Sequence, residues 1–127
     1  MILVDTNVII NYWRRPTQKI EKFFLSDDIA ICGVTKSELI YGAKNEKEIE
    51  SISEALSDFI YIEIDDIWED VGRLLFELKT KGVTIPFQDA IICSLALKND
   101  LKIWSDDKHF KLVKKVIPEL ELFEETR

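Results

Sequence analysis

The feature that most constrains the fold of this chain is its alternation of short apolar strands with helical segments. The runs at residues 2–4 and 29–34 are apolar at nearly every position, rather than at every other position. Such strands are buried on both faces, which is typical of a parallel sheet covered by helices. Further strands are predicted at residues 59–64, 101–104 and 120–123, and helices at residues 8–13, 17–25, 35–42, 46–58, 65–81, 89–98 and 107–115.

The predicted fold class is therefore α/β: a single domain, residues 1–127, whose parallel β-sheet is flanked by helices on both faces. A chain of 127 residues has room for one such core. No apolar run approaches the ~20 residues of a membrane-spanning helix, and Asp5 ends the apolar start, which is not the pattern of a signal peptide. We expect a cytoplasmic protein in which Cys32 and Cys93, within apolar runs, are buried, reduced thiols.

Four acidic residues lie where the predicted strands end or the predicted helices begin. Asp5 ends the first strand, and Glu38 lies in the first turn of the helix after the second strand. Asp89 begins the apolar helix, and Asp107 follows the fourth strand. Ligands of α/β sheets bind at this edge, and carboxylates gathered there repel one another unless divalent cations neutralise them. The pattern predicts a metal site.

Each acid taken alone also has a structural explanation. Thr35-x-x-Glu38 has the form of a capping box. The three aspartates are possible helix N-caps, each worth about 1 kcal/mol. Caps have no reason to gather at one edge of one sheet, so the four acids together favour the metal site.

Four short motifs resemble those of PIN-domain nucleases, in order along nearly the whole chain. Residues 1–7 (MILVDTN) resemble the family's first strand, and residues 35–39 (TKSEL) resemble the segment with its second acid. Residues 82–92 (GVTIPFQDAII) are similar to the third motif, and residues 105–110 (SDDKHF) to the fourth. Among PIN-domain proteins, this compact chain resembles the VapC toxins of toxin–antitoxin pairs.

The resemblance implies a Mg²⁺-dependent endoribonuclease, with Mn²⁺ as a substitute, that forms a homodimer and is silenced by a small basic antitoxin. It implies that the catalytic metal ligands are Asp5, Glu38, Asp89 and Asp107. The neutral residues expected to orient water or phosphate beside them are Thr6, Asn7 and Ser105. The chain shows no constellation of Cys, His or Ser nucleophiles, which agrees with a metal mechanism.

The fourth motif leaves one ligand open. Ser105 and Asp106 replace the family's commoner Thr and Asn, so Asp106 and Asp107 are both candidates, and the spacing to Phe110 favours Asp107. The chain's one histidine, His109, is expected on the surface of the last helix rather than as a general base.

The net charge of −7 disfavours a broad basic face for nucleic acid. Setting four of the 24 acidic residues apart as metal ligands leaves 20 acidic against 17 basic residues. Candidate phosphate contacts are Arg14, Arg15, Lys108, Lys111, Lys114 and Lys115, although each group also suits a solvated helix face. Burial in the core or an interface is expected for Trp13, Trp68 and Trp104, rather than stacking on bases.

Two other functional classes remain open. One is a non-catalytic interaction module with a PIN fold, whose acids are only caps. The other is a different metal-dependent phosphoesterase, a DNase or a phosphatase, with the same carboxylate chemistry. A homodimer is expected also because Tyr12, Trp13 and Trp68 are predicted to be exposed and to need cover.

Overall fold

A computed structural model describes residues 1–26 and 28–124; the rest of the predicted 1–127 domain, residues 27 and 125–127, lies outside the described part. In chain order, the strands and helices are β1 (Ile2–Val4), α1 (Thr6–Arg14), α2 (Gln18–Ser26), β2 (Ile29–Cys32), α3 (Gly33–Tyr41), α4 (Glu46–Leu56), β3 (Ile60–Ile62), α5 (Trp68–Thr80), α6 (Phe87–Asn99), β4 (Lys102–Trp104), α7 (His109–Val116) and β5 (Glu121–Leu122).

The five strands form one sheet in the order β3-β2-β1-β4-β5. Every neighbouring pair is parallel, and central Leu3 lies opposite Ala30 on one side and Ile103 on the other. The chain runs from β1 outward to β3 and then crosses to β4, on the other side of β1. The topological switch point therefore lies between β1 and β4, where α/β sheets bind their ligands. The predicted α/β fold with a parallel sheet is confirmed.

Both faces of the sheet are buried, which explains why the strands are apolar throughout. Leu3 and Ala30 face a core built mainly with α5, α6 and α7. Their neighbours Val4 and Ile31 face a second core, built with α1, α2 and α4. Since successive strand side chains point to opposite faces, each layer of helices receives every second residue of the strands.

Several helices begin one or more residues away from the predicted starts. Helix α3 begins at Gly33 and α6 at Phe87, two residues earlier than predicted, while α5 begins at Trp68, three residues later. The strands β2 to β5 are each shorter than predicted, by one to three residues. The new starts of α3 and α6 change the helical positions of Glu38 and Asp89.

The tryptophans differ in burial. Trp104 is buried in the core, as predicted, whereas Trp13 is 37% exposed and Trp68 is 54% exposed. The expectation that Tyr12 is exposed is wrong: its ring is partly buried and stacks on Phe24, with ring centroids 4.2 Å apart.

Both cysteines are buried and free, as predicted. In the described ranges, no helix combines the length and the apolar character needed to cross a bilayer.

Candidate active site

Asp5 joins the end of β1 to the start of α1. Its backbone N–H donates to the Trp104 carbonyl (2.9 Å), which ties it to β4. One carboxylate oxygen accepts from the Thr6 backbone N–H (2.9 Å), so Asp5 is the N-cap of α1. The other oxygen accepts from the Ser105 hydroxyl (2.7 Å). Asp5 is therefore a cap and also part of a cluster beyond its own helix.

The pKa of the Asp5 carboxyl is raised above its usual value, mainly because the group is buried. The hydrogen bonds from Ser105 and Thr6 lower the pKa, and the negative charges of Glu38 and Asp107 raise it. Burial therefore outweighs the hydrogen bonds, and two nearby carboxylates add to its effect.

Glu38 does not form the predicted capping box. Because α3 begins at Gly33, Glu38 lies in the second turn, and the Thr35 hydroxyl donates to the carbonyl of Val4 (3.4 Å). The exposed Glu38 side chain instead accepts a hydrogen bond from the Thr6 hydroxyl (2.8 Å). The helix cap therefore does not account for a carboxylate at this position.

Asp89 is the third residue of α6, whose N-cap is Pro86, so the prediction of Asp89 as an N-cap is wrong. The residue is buried, with 8% of its surface exposed, and its Oδ2 lies 2.9 Å from Nδ1 of His109. Burial raises the pKa of its carboxyl to about 6, and the charges of Asp5 and Asp107 act in the same direction. The hydrogen bond from His109 opposes part of that rise.

Asp107 lies in the loop between β4 and α7. Its backbone N–H donates to the Ser105 hydroxyl (3.0 Å), and its Oδ1 accepts from the backbone N–H of His109 (2.9 Å). The neighbouring Asp106 is exposed, and its Oδ2 accepts from the side-chain amide of Asn11 (3.0 Å). Asp107 lines the cleft and Asp106 does not, so the geometry favours Asp107 as the fourth acid.

The structure brings the side chains of the four acids to one cleft of about 250 Å³ at the switch point, between the ends of β1 and β4. Thr6 and Asn7 line the same cleft. The neutral residues predicted beside the acids form hydrogen bonds within this cluster. The Thr6 hydroxyl donates to Glu38, and the Ser105 hydroxyl donates to Asp5. The side-chain amide of Asn7 donates to the Ser105 hydroxyl (3.3 Å).

His109 is the residue of this cluster whose position the sequence did not predict. Its side chain is 29% exposed, and its Nδ1 lies 2.9 Å from both Asp89 Oδ2 and Asp107 Oδ1. The expectation of a surface histidine is wrong, because the first residue of α7 turns its side chain toward Asp89 and Asp107. The signal available in the sequence was its position two residues after Asp107.

The basic residues near the cleft are not equivalent. The Lys114 ammonium donates to the carbonyls of Pro118 (3.2 Å) and Leu120 (2.6 Å), so it holds the turn before β5. Arg14 lines a groove that also contains Glu38, and Lys111 lines a small pocket beside Asp107. Of these three residues, Arg14 and Lys111 lie close enough to the acids to contact a phosphate bound beside them.

The chain is similar to known proteins in its sequence pattern and in its fold. The family model described as the PIN domain matches residues 2–116. In sequence, the chain matches no curated protein. Among solved structures, a chain of VapBC-1 from nontypeable Haemophilus influenzae superimposes with a TM-score of 0.83 and 23% identity, over 100% of both chains.

Two further solved structures share the fold at slightly higher identity. A chain of VapBC2 from Rickettsia felis, bound to a DNA fragment from its promoter, matches with a TM-score of 0.79 and 25% identity, over 97% of this chain and 98% of that one. A toxin–antitoxin complex from Klebsiella pneumoniae contains a chain with a TM-score of 0.72 and 26% identity, over 94% of this chain and 95% of that one.

Proposed function

The chain belongs to the PIN domain family, and from this premise we propose that it is a metal-dependent endoribonuclease, the toxin of a type II toxin–antitoxin pair. The observation that carries the proposal is the convergence of Asp5, Glu38, Asp89 and Asp107 on one cleft at the switch point of the sheet. The chain's similarity to proteins of VapBC and toxin–antitoxin complexes supports the toxin assignment.

The donor set suits a hard divalent cation such as Mg²⁺, with Mn²⁺ as a substitute, because all four acids offer carboxylate oxygens. Within residues 1–26 and 28–124, the one basic side chain within ion-pairing distance of these acids is His109. Burial is the main reason why the pKa values of Asp5 and Asp89 are raised, and the neighbouring carboxylates raise both further. Bound cations would relieve this repulsion.

Asp5 and Asp89, the two buried acids, are the proposed principal ligands, with Glu38 and Asp107 binding directly or through water. The cation would supply an activated water and stabilise the charge that develops on the phosphate during in-line attack. Ser105 and Thr6 hold Asp5 and Glu38 by hydrogen bonds, which limits the movement of these carboxylates. Glu38, which lines the cleft, is exposed to solvent, so water is available there as the nucleophile.

The purified chain is expected to cleave RNA in Mg²⁺ or Mn²⁺, and cleavage should stop when EDTA is added. Without a cation, the four carboxylates would repel the phosphate and could not stabilise the charge that develops on it. Gel analysis of a labelled RNA, with and without the chelator, measures this. Undiminished cleavage in EDTA would exclude the metal mechanism. Parallel assays on DNA and a phosphomonoester test the other phosphoesterases, and absence of Mg²⁺ and Mn²⁺ binding would favour a non-catalytic module.

A groove beside the acid cleft supports the proposal of an antitoxin partner. Trp13, Leu39 and Ile52 line this groove, and Glu38 belongs to both the groove and the cleft. A segment that places apolar side chains in the groove would bring a neighbouring Arg or Lys to the four acids. A basic segment also complements a chain of net charge −7.

Expression of the chain alone is expected to arrest growth of its host, and a small basic protein encoded beside it is expected to restore growth and to co-purify. Trp13→Ala should weaken retention of that protein, whereas Leu112→Ala, an exposed apolar residue on α7, should not. Harmless expression together with absence of any small basic partner would remove the toxin assignment and leave the nuclease untouched.

We expect a homodimer, because Trp68 and Phe76 on α5 leave large apolar surfaces exposed in a small domain. Light scattering at high micromolar concentration should report about twice the 14.8 kDa mass of the chain. A monomer under those conditions would contradict this prediction.

A further inference from the structure

The imidazole of His109 has two carboxylates at matched distances. Its Nδ1 lies 2.9 Å from Asp89 Oδ2 and 2.9 Å from Asp107 Oδ1. The backbone N–H of His109 also donates to Asp107 (2.9 Å), which fixes the start of α7 against this acid. Contacts of both the ring and the backbone of His109 therefore fix the imidazole beside the two acids.

These three residues have the spacing of a metal-ligand set. One ligand atom from each of Asp89, Asp107 and His109 can be chosen so that all three lie within 4.8 Å of one another. Metal–nitrogen and metal–oxygen bonds of about 2.1 Å place adjacent ligands of an octahedral ion roughly 3 Å apart. The distances from Nδ1 to the two carboxylate oxygens match this separation between adjacent ligands. An ion could therefore replace the Nδ1 proton with little movement of the side chains.

We propose that His109 Nδ1, Asp89 Oδ2 and Asp107 Oδ1 form a mixed nitrogen and oxygen subsite that prefers Mn²⁺, or another first-row transition ion, over Mg²⁺. The inference rests on the proposed function, since it assigns a metal preference to the same cleft. Imidazole is a good ligand for transition ions, whereas Mg²⁺ keeps oxygen ligands and several waters. A cleft made of the four carboxylates alone would lack this basis for discrimination.

The chain offers a direct test, because His109 is its one histidine. Untagged protein loaded with Mn²⁺ is examined by electron spin echo envelope modulation, which detects ¹⁴N coupled to the ion. An imidazole nitrogen signal is expected in the wild type and in the control Lys98→Gln, an exposed residue near the end of α6. It should be absent in His109→Gln, whose amide can still hydrogen-bond to the carboxylates.

Titration calorimetry gives the second readout. His109→Gln should weaken Mn²⁺ binding by about tenfold or more and Mg²⁺ binding by no more than about threefold, because the Mg²⁺ ligands are oxygens. A hydrogen-bond partner of the carboxylates would also affect affinity, but equally for both ions. The nitrogen signal and the difference between the ions therefore separate a ligand from a positioning residue.

Mn²⁺ binding without imidazole modulation, or equal weakening of both ions, would overturn this inference and leave the carboxylate mechanism intact. Absence of any Mn²⁺ and Mg²⁺ binding would overturn the inference and the proposed metal mechanism together. The two failures are distinguished by whether the ions bind at all.

Discussion

Glu38→Gln is expected to reduce RNA cleavage by roughly a hundredfold or more while leaving the fold intact. Glu38 is exposed, and its Oε1 accepts one hydrogen bond, from the Thr6 hydroxyl. The amide oxygen of glutamine can accept the same bond, so the substitution removes chiefly the negative charge. Since the capping box is absent, helix stability provides no alternative reason for a loss of activity.

The measurements are cleavage rates and thermal unfolding with and without Mg²⁺. Wild type should gain about 2.7 kcal/mol when free Mg²⁺ reaches about 100 times its dissociation constant, and the variant should gain less. Glu77→Gln, an exposed acid on α5, serves as the matched control and should behave as wild type. Full activity together with a full Mg²⁺ response in Glu38→Gln would show that this acid is not a ligand.

Asp89→Asn is expected to abolish measurable cleavage and, in metal-free protein, to raise stability at neutral pH. The folded-state pKa of Asp89 is about 6, against an ordinary value of 3.8 for an aspartate. The folded state therefore binds this proton more tightly than the unfolded state, and the free energy of unfolding falls as pH rises from about 4 to about 6. Above that window the ionised, buried carboxylate imposes its full cost.

A difference of about two pKa units corresponds to about 3 kcal/mol, so Asp89→Asn should unfold roughly 10 °C higher than wild type at pH 7.5. At pH 3.5, where the wild-type carboxyl is protonated, the two should unfold at nearly the same temperature. Calorimetry in EDTA across this range measures the effect. The control Asp66→Asn, an exposed acid before α5, should change neither stability profile nor activity. Equal unfolding temperatures at every pH would contradict the expected cost of burying the Asp89 charge.

The same proton competes with the cation. Below about pH 6, Asp89 is increasingly protonated in the metal-free cleft, so Mg²⁺ affinity should fall with pH. Asp5, whose pKa is also raised by burial, acts in the same direction.

The strands and helices could be predicted because their signals are local. Uninterrupted apolar runs such as residues 29–34 require burial on both faces, and this requirement leads to a parallel sheet covered by helices. The helix starts were less accurate. Cys32 is the N-cap of α3 and Pro86 is the N-cap of α6, and neither side chain makes a capping hydrogen bond. Because the predicted starts relied on the usual capping residues, both were placed two residues too late.

Two features of the site depended on contacts between residues far apart in sequence. Glu38 bonds to Thr6, 32 residues away, in preference to the local capping box. His109 faces Asp89, 20 residues away, because α7 begins with its first side chain turned toward α6. Short motifs record which residues are present and in what order, but the direction of a side chain at the start of a helix depends on packing.

The sequence by itself determined the α/β class, the parallel sheet and the choice of the four acids, because each follows from local periodicity or from a position after a strand or near the start of a helix. Tertiary structure alone decided which acids share a cleft, that Asp107 rather than Asp106 lines it, and that His109 lies between two of them. The physical reason is that burial and the proximity of like charges, which raise the pKa of Asp89 to about 6, arise only when β1, β4 and α6 are packed together.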